Sequence, residues 1–202
     1  MKKFVLKCSL YTLRGMMSFI YFFIKLFPIK SNKVLMISRQ SNEPSIDFKV
    51  LRDEMLKSNP NTQVKMLCKK IPKKIWKRIG YCFYIIKCMY HISTSNVCIV
   101  EALKHKKRLV IVQIWHALGA IKKFGKQVVD QKEGSSSIVA NIMKMHKNYT
   151  FVTCASKATR EFYAEAFGIE KEKILVLGMP RIDYLLEKDN QINKKVEKLL
   201  EE

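Results

Sequence analysis

A histidine and a lysine pair in the stretch QIWHALGAIKKFG, residues 113–125, have the types and spacing to act together on a polar substrate. His116 directly follows Leu109 to Trp115, a run rich in β-branched residues that reads as a buried strand. One reading of such a histidine is structural, a ring satisfied inside the fold. The other is a general base. If a helix begins at Ala117, its positive amino end faces the ring. Lys122 and Lys123 would then lie about two turns along it. Nearby positive charge favours neutral imidazole, the form that accepts a proton at pH 7. The same lysines can hold an anionic substrate beside it.

The elements that must position these residues alternate along the chain. Strands are predicted at 34–38, 64–68, 96–100, 109–115, 151–154 and 174–177. Helices are predicted at 47–58, 75–90 and about 157–167, with a polar, charged helix after Asp189. Continuous apolar strands alternating with helices predict an α/β fold with a Rossmann-like parallel sheet covered on both faces. In such sheets reactive groups gather beyond the carboxyl ends of the strands, where His116 falls.

Composition narrows the partners. The apolar fraction of 48% is that of a folded chain. Lys and Arg number 38 against 17 Asp and Glu, a net charge of +21 that calls for an anionic partner. No nucleic-acid motif is present, and the aromatics concentrate in apolar runs, so no nucleic-acid partner is expected. Neither GxGxxG after the first strand nor GxxxxGK[ST] occurs, which disfavours a dinucleotide fold of that type and a phosphate-loop ATPase. Six scattered cysteines form no CxxC pair, and no carboxylate cluster has ligand spacing; neither a metal site nor a disulfide framework is expected, and the thiols suit a reducing compartment.

Residues 1–30 differ from the rest: basic residues interleave with aromatics and leucines, and no acid occurs. The longest uncharged run, Gly15 to Ile24, is short of the ~20 residues of a spanning helix. The segment reads as an amphipathic helix lying on an anionic membrane, with Phe19, Phe22, Phe23 and Lys25 in the headgroup layer. A core helix and a signal-anchor are its rivals. The basic stretch KKIPKKIWKRIGY, residues 69–81, is either a solvated face or a second membrane or polyphosphate contact, with Trp76 at the interface. The expected organisation is thus 1–30 as membrane-associating segment and 31–202 as the sheet domain.

Two further segments carry candidate residues. Ser156, after a strand, can cap a helix or bond an acceptor. Arg181 and Asp183 follow a Gly-Met-Pro turn; they can hold and orient a phosphate, or form an ion pair pinning the chain's exit from the domain. WHALGAIKKFG, VTCASKATREFYAEAFGI and ILVLGMPRIDYLL together, in this order, resemble the CDP-glycerol glycerophosphotransferase family, and the basic, aromatic amino terminus closing in LFPIK agrees. The WHA-x-G-A-x-KKFG form is similar to the wall teichoic acid primase and polymerase branch.

The resemblance implies the amino-terminal, acceptor-receiving half of a glycosyltransferase-B-like fold, at the cytoplasmic face of the membrane. It implies transfer of glycerol phosphate or ribitol phosphate from CDP-glycerol or CDP-ribitol to a lipid-linked acceptor, with His116 as the base. Lys122, Lys123, Ser156, Arg181 and Asp183 fall on its substrate-binding segments. No cofactor is expected in this chain. The sequence ends soon after the P-R-x-D segment, so the nucleotide-binding second domain is expected to be absent or supplied by a separate chain.

Overall fold

The computed structural model describes residues 2–72, 74–98, 108–115 and 119–189. His116, the second half of the strand expected at 96–100 and the polar helix expected after Asp189 lie outside the described residues. Six strands form one sheet: β1 Lys33–Ser38, β2 Gln63–Cys68, β3 Val97–Cys98, β4 Val110–Ile114, β5 Phe151–Cys154 and β6 Ile174–Val176. Their order is β2-β1-β3-β4-β5-β6, and every neighbouring pair is parallel. The carboxyl ends therefore share one pole, and the winding direction reverses between β1 and β3.

The sequence explains which strands are interior. Successive strand residues point to opposite faces. Leu35 and Met36 are consecutive and only 1% and 3% exposed, so β1 is covered on both sides. In β2 Gln63 and Lys65 are exposed while Leu67 is buried. A lysine in an edge strand discourages pairing with another chain.

Five helices flank the sheet: α1 Lys2–Ile24, α2 Ile46–Ser58, α3 Ile75–Ser93, α4 Ser137–Ile142 and α5 Arg160–Phe167, and residues 180–189 are also helical. Ser45 caps α2, its hydroxyl accepting from the Phe48 amide at 3.3 Å. Ser136 caps α4 in the same way through the Val139 amide at 3.4 Å. Periodicity did not predict α4, because six residues are too few for a repeat. The helix expected at 157–167 begins as a 3-10 turn, Lys157–Thr159, and becomes α-helical at Arg160.

One expectation near the candidate base is corrected. No helix carries Lys122 and Lys123: residues 119–124 are irregular, and a 3-10 turn, Gly125–Val128, follows. Gly125 explains the break. Its φ of +60° is unfavourable for other residues, and a Cβ there would collide with the Ala166 carbonyl of α5. Glycine thus lets the turn close onto α5. The argument that a helix dipole keeps His116 neutral loses its basis, while the two lysines remain in the segment.

The amino-terminal segment takes the core-helix role on one face and leaves the other face exposed. Helix α1 packs against α3 and α4. Tyr21 is 2% exposed in the main core, with Met17, Ile20 and Ile24 against it. Arg14 donates to the Ile142 carbonyl at 3.1 Å, and Ser93 to the Ile24 carbonyl at 3.2 Å. Along this face α1 is a core helix. Its other face leaves Phe4, Tyr11, Met16, Phe19, Phe22 and Phe23 exposed. No helix among the described residues is long and apolar enough to cross a membrane.

Candidate functional site

Parallel strands bring the ends of β4, β5 and β6 to one pole, and Trp115, Ser156 and Gly178 follow them in turn. Trp115 follows β4. It stacks on Phe124 with centroids 4.7 Å apart and planes 22° from parallel, and meets Phe167 of α5 edge-on at 5.4 Å. Phe124 is buried and packs edge-on against Tyr163 and Phe167. These rings fix both ends of the segment that contains His116, Lys122 and Lys123, and each aromatic pair adds about 0.5–1.5 kcal/mol beyond the area it buries. Lys122 and Lys123 are exposed, and Ile121 beside them is 97% exposed.

Ser156 stands two residues beyond β5 at the cap of the 3-10 turn, yet its hydroxyl caps no backbone amide. It lies 3.4 Å from the Thr159 hydroxyl, which donates to the Ser156 carbonyl at 2.9 Å. Beyond β6, Gly178 has φ +76° and Met179 is buried, and the helix over 180–189 begins.

Arg181 is committed to a partner that its local sequence does not reveal. Its Nε lies 3.1 and 3.0 Å from the two carboxylate oxygens of Asp47, its backbone amide donates to Asp47 Oδ1 at 3.1 Å, and its Nη2 completes the pair. The Asp47 hydrogen bond raises the guanidinium pKa above its ordinary value. Asp47 is 3% exposed at the start of α2, 134 residues away in sequence. An acid in a first helical turn signals only helix-dipole stabilisation. Asp183 is exposed on the same helix.

Two features at this pole were outside the sequence-derived site. Arg39 follows β1, and Lys69 and Lys70 follow β2. The Lys70 amide donates to Asn42 Oδ1 at 3.0 Å, and Tyr81 donates to the Lys69 carbonyl at 3.4 Å, so α3 and the β1–α2 loop brace the β2 end. Burial pushes the Tyr81 phenol up, while the Arg39 charge opposes the shift. Among the described residues no group of three His, Cys, Asp or Glu is placed to hold a metal ion.

The residues expected at a membrane lie on two helices, Phe19, Phe22 and Phe23 near the end of α1 and Trp76 at the start of α3. Trp76 is 82% exposed at the start of α3, and Ile79, Phe83, Ile86 and Tyr90 continue one stripe at helical spacing. Phe27, just beyond α1, meets Tyr90 edge-on at 5.3 Å, joining this stripe to the exposed face of α1. Phe23 lies within 5.5 Å of both Phe19 and Phe22, centroid to centroid. Lys25 lies over the Tyr21 ring at 5.8 Å.

A six-stranded parallel sheet with an aromatic clasp after a central strand, and with Arg39, Lys69, Lys70, Lys122 and Lys123 following its strands, defines an α/β domain. The chain belongs to the CDP-glycerol:poly(glycerophosphate) glycerophosphotransferase family, whose sequence model matches residues 19–201. It is 32% identical over 172 residues to the teichoic acid ribitol-phosphate primase of Bacillus spizizenii (strain ATCC 23059 / NRRL B-14472 / W23), covering 82% of this chain and 44% of that protein. It is 25% identical over 198 residues to the teichoic acid glycerol-phosphate primase of Bacillus subtilis (strain 168), covering 87% of this chain and 48% of that protein. The fold matches the wall teichoic acid polymerase TagF with a TM-score of 0.61 at 17% identity, over 96% of this chain and 52% of that one. The chain thus spans about half the length of these proteins.

Proposed function

We propose that this chain is the acceptor-side domain of a CDP-polyol:polyol-phosphate phosphotransferase of teichoic acid synthesis. It would work together with a nucleotide-binding half. A hydroxyl of a lipid-linked acceptor attacks the β-phosphorus of CDP-glycerol or CDP-ribitol. The new P–O bond forms as the bond to the bridging oxygen breaks, CMP leaves with the electron pair, and the hydroxyl proton passes to His116. A base in hydrogen-bond reach contributes about 10²–10⁴-fold to such a step. Lys122 and Lys123 offset the phosphate charge, as positioned cations do in phosphoryl transfer generally. Ser156 and Asp183 offer a hydroxyl and a carboxylate to the acceptor from the ends of β5 and β6.

The observation that carries this reading is the stacked Trp115–Phe124 pair. It joins the two residues that bracket the histidine–lysine segment in sequence, which supports a site beyond the end of β4, where open α/β sheets hold their reactive groups. For Arg181 the geometry favours the tie to Asp47 as its main role, because Nε and Nη2 are both engaged by a buried carboxylate. No protein-held metal is invoked.

The joined apolar faces of α1 and α3 support peripheral attachment to the cytoplasmic face of an anionic membrane. Phe19, Phe22, Phe23 and Trp76 would enter the headgroup layer, and Lys25 would lie among the phosphates. That attachment brings a lipid-linked acceptor to the pole by diffusion in two dimensions. The test is CMP release from CDP-glycerol and CDP-ribitol when the chain is combined with a relative's nucleotide-binding half and a lipid-linked acceptor. Release that requires both halves and acceptor supports the reading. No release with either donor counts against it.

A further inference from the structure

We propose that a lysine-lined groove at the amino ends of β5 and β6, on the pole opposite the candidate site, binds a chain of phosphodiesters such as the soluble part of a linear polyol phosphate. The groove is a concavity of ≈ 1170 Å³ formed by the segments that lead into β5 and β6, the end of α4 and the turn after Phe124. Lys126, Lys144, Lys147 and Lys173 line it, with Glu170 as the single carboxylate. Glu170 pairs with Lys173 at 3.0 Å, and the exposed Lys126 and Lys147 are the cations on which the proposal rests.

The groove's wall is built into the core. Lys144, His146 and Asn148 all hold left-handed backbone, with φ of 54°, 56° and 78°, which L residues adopt rarely. The buried His146 anchors this bend: its Nδ1 lies 3.1 Å from the Tyr149 hydroxyl, and its ring meets Phe167 edge-on at 4.8 Å. Lys126 lies across Gly168, the left-handed cap of α5, in space that a Cβ would fill.

The lining chemistry distinguishes the occupant from a bilayer. The apolar side chains in the groove, Val129, Ala140, Met145 and Ile169, are all partly buried, whereas the α1–α3 surface is built from large, exposed ones. Asn141 and Asn148 stand among the lysines and can bond hydroxyls. Cations interleaved with amides match a ligand in which phosphates alternate with hydroxylated carbons. Several lysines on one polyanion give binding that weakens steeply with salt. Such a groove would hold product already made while the reacting end occupies the other pole. That role rests on the proposed transferase reading; the binding itself does not require it.

The test uses the full chain and a soluble glycerol-phosphate oligomer carrying a fluorophore. Anisotropy titrations compare the wild type with the Lys126→Gln/Lys147→Gln variant at several salt concentrations. We expect at least tenfold weaker oligomer binding in the variant and a shallower salt dependence. In the wild type, bound oligomer should protect Lys126 and Lys147 from acetylation, a readout that needs no variant. Equal affinities, or acetylation unaffected by oligomer, would overturn the proposal. So would an effect of the variant on flotation with anionic vesicles but not on oligomer binding, which would make the groove a lipid contact. CMP release with a short acceptor should be unchanged in the variant, so failure of the groove and failure of the transferase reading are separable.

Discussion

Trp115 and Phe124 stack face to face at 4.7 Å across the ends of the segment that carries His116, Lys122 and Lys123. Trp115 leaves the sheet and Phe124 enters the core over α5, so the pair is a clasp on the proposed catalytic segment. Phe124→Ala should cost about 3–5 kcal/mol of stability, as for other buried aromatics. A double-mutant cycle with Trp115→Ala should give a coupling of about 1 kcal/mol, measured by urea unfolding. Additive effects would mean the rings touch without depending on each other.

The Arg181–Asp47 pair ties the start of the 180–189 helix to the start of α2. Arg181→Met leaves a carboxylate that is 3% exposed without its partner, and should cost about 3 kcal/mol. Asp47→Asn should cost less, because the amide oxygen still accepts and the half-exposed guanidinium regains water. The raised pKa of Arg181 sets the alkaline limit: folding stability from the pair is complete below the ordinary arginine value and is lost only above it. Unfolding curves of the two variants check the order, and the reverse order would contradict a buried carboxylate as the costly member.

His91 on α3 gives a pH dependence of opposite sign. Burial, with added repulsion from Lys33, Lys65 and Lys87, pushes its pKa down to about 4 from 6.5, and its Nδ1 is buried without a hydrogen-bond partner. The unfolded chain therefore binds this proton more tightly than the folded one. The contribution to stability is complete above about pH 6.5 and falls as pH drops toward 4. The melting temperature should decline across that window in the wild type and flatten in His91→Phe. Parallel pH curves for the two proteins would remove His91 from the account.

The exposed stripe of α3 and the outer face of α1 make a joint prediction. Trp76→Ser and Phe19→Ser should each reduce flotation with anionic vesicles about tenfold, since burying one large aromatic in an apolar environment yields about 1.5–3 kcal/mol. Neither should unfold the domain, because both side chains are mainly exposed. Raising salt should weaken binding further, with each interfacial lysine worth about 1 kcal/mol. Binding that ignores both substitutions would return α1 to a purely structural role.

Much of this architecture was legible because its signals are local. Val34–Ile37 and Leu109–Ile114 are continuous apolar runs of strand length, and both form strands of the parallel sheet. The pole bearing Trp115, Ser156 and Arg181 followed from where the strands end. Features requiring distant partners were not legible. Nothing in Asp47 announces an arginine 134 residues away. The helix expected through Lys122 fails because Gly125 is needed for a turn against Ala166, a contact made only in the folded chain. Helix α1 was read as a membrane segment from its composition, yet Tyr21 also completes the core. An apolar stripe and a core stripe look alike until the helix has a neighbour.

The most direct measurement is the rate of CMP release by the chain complemented with a nucleotide-binding half, compared between wild type and His116→Ala, with both CDP-glycerol and CDP-ribitol. The account predicts turnover in the wild type with at least one donor, and a fall of about 10²–10⁴-fold in His116→Ala while acceptor binding persists. Wild-type turnover in the His116→Ala enzyme would contradict it.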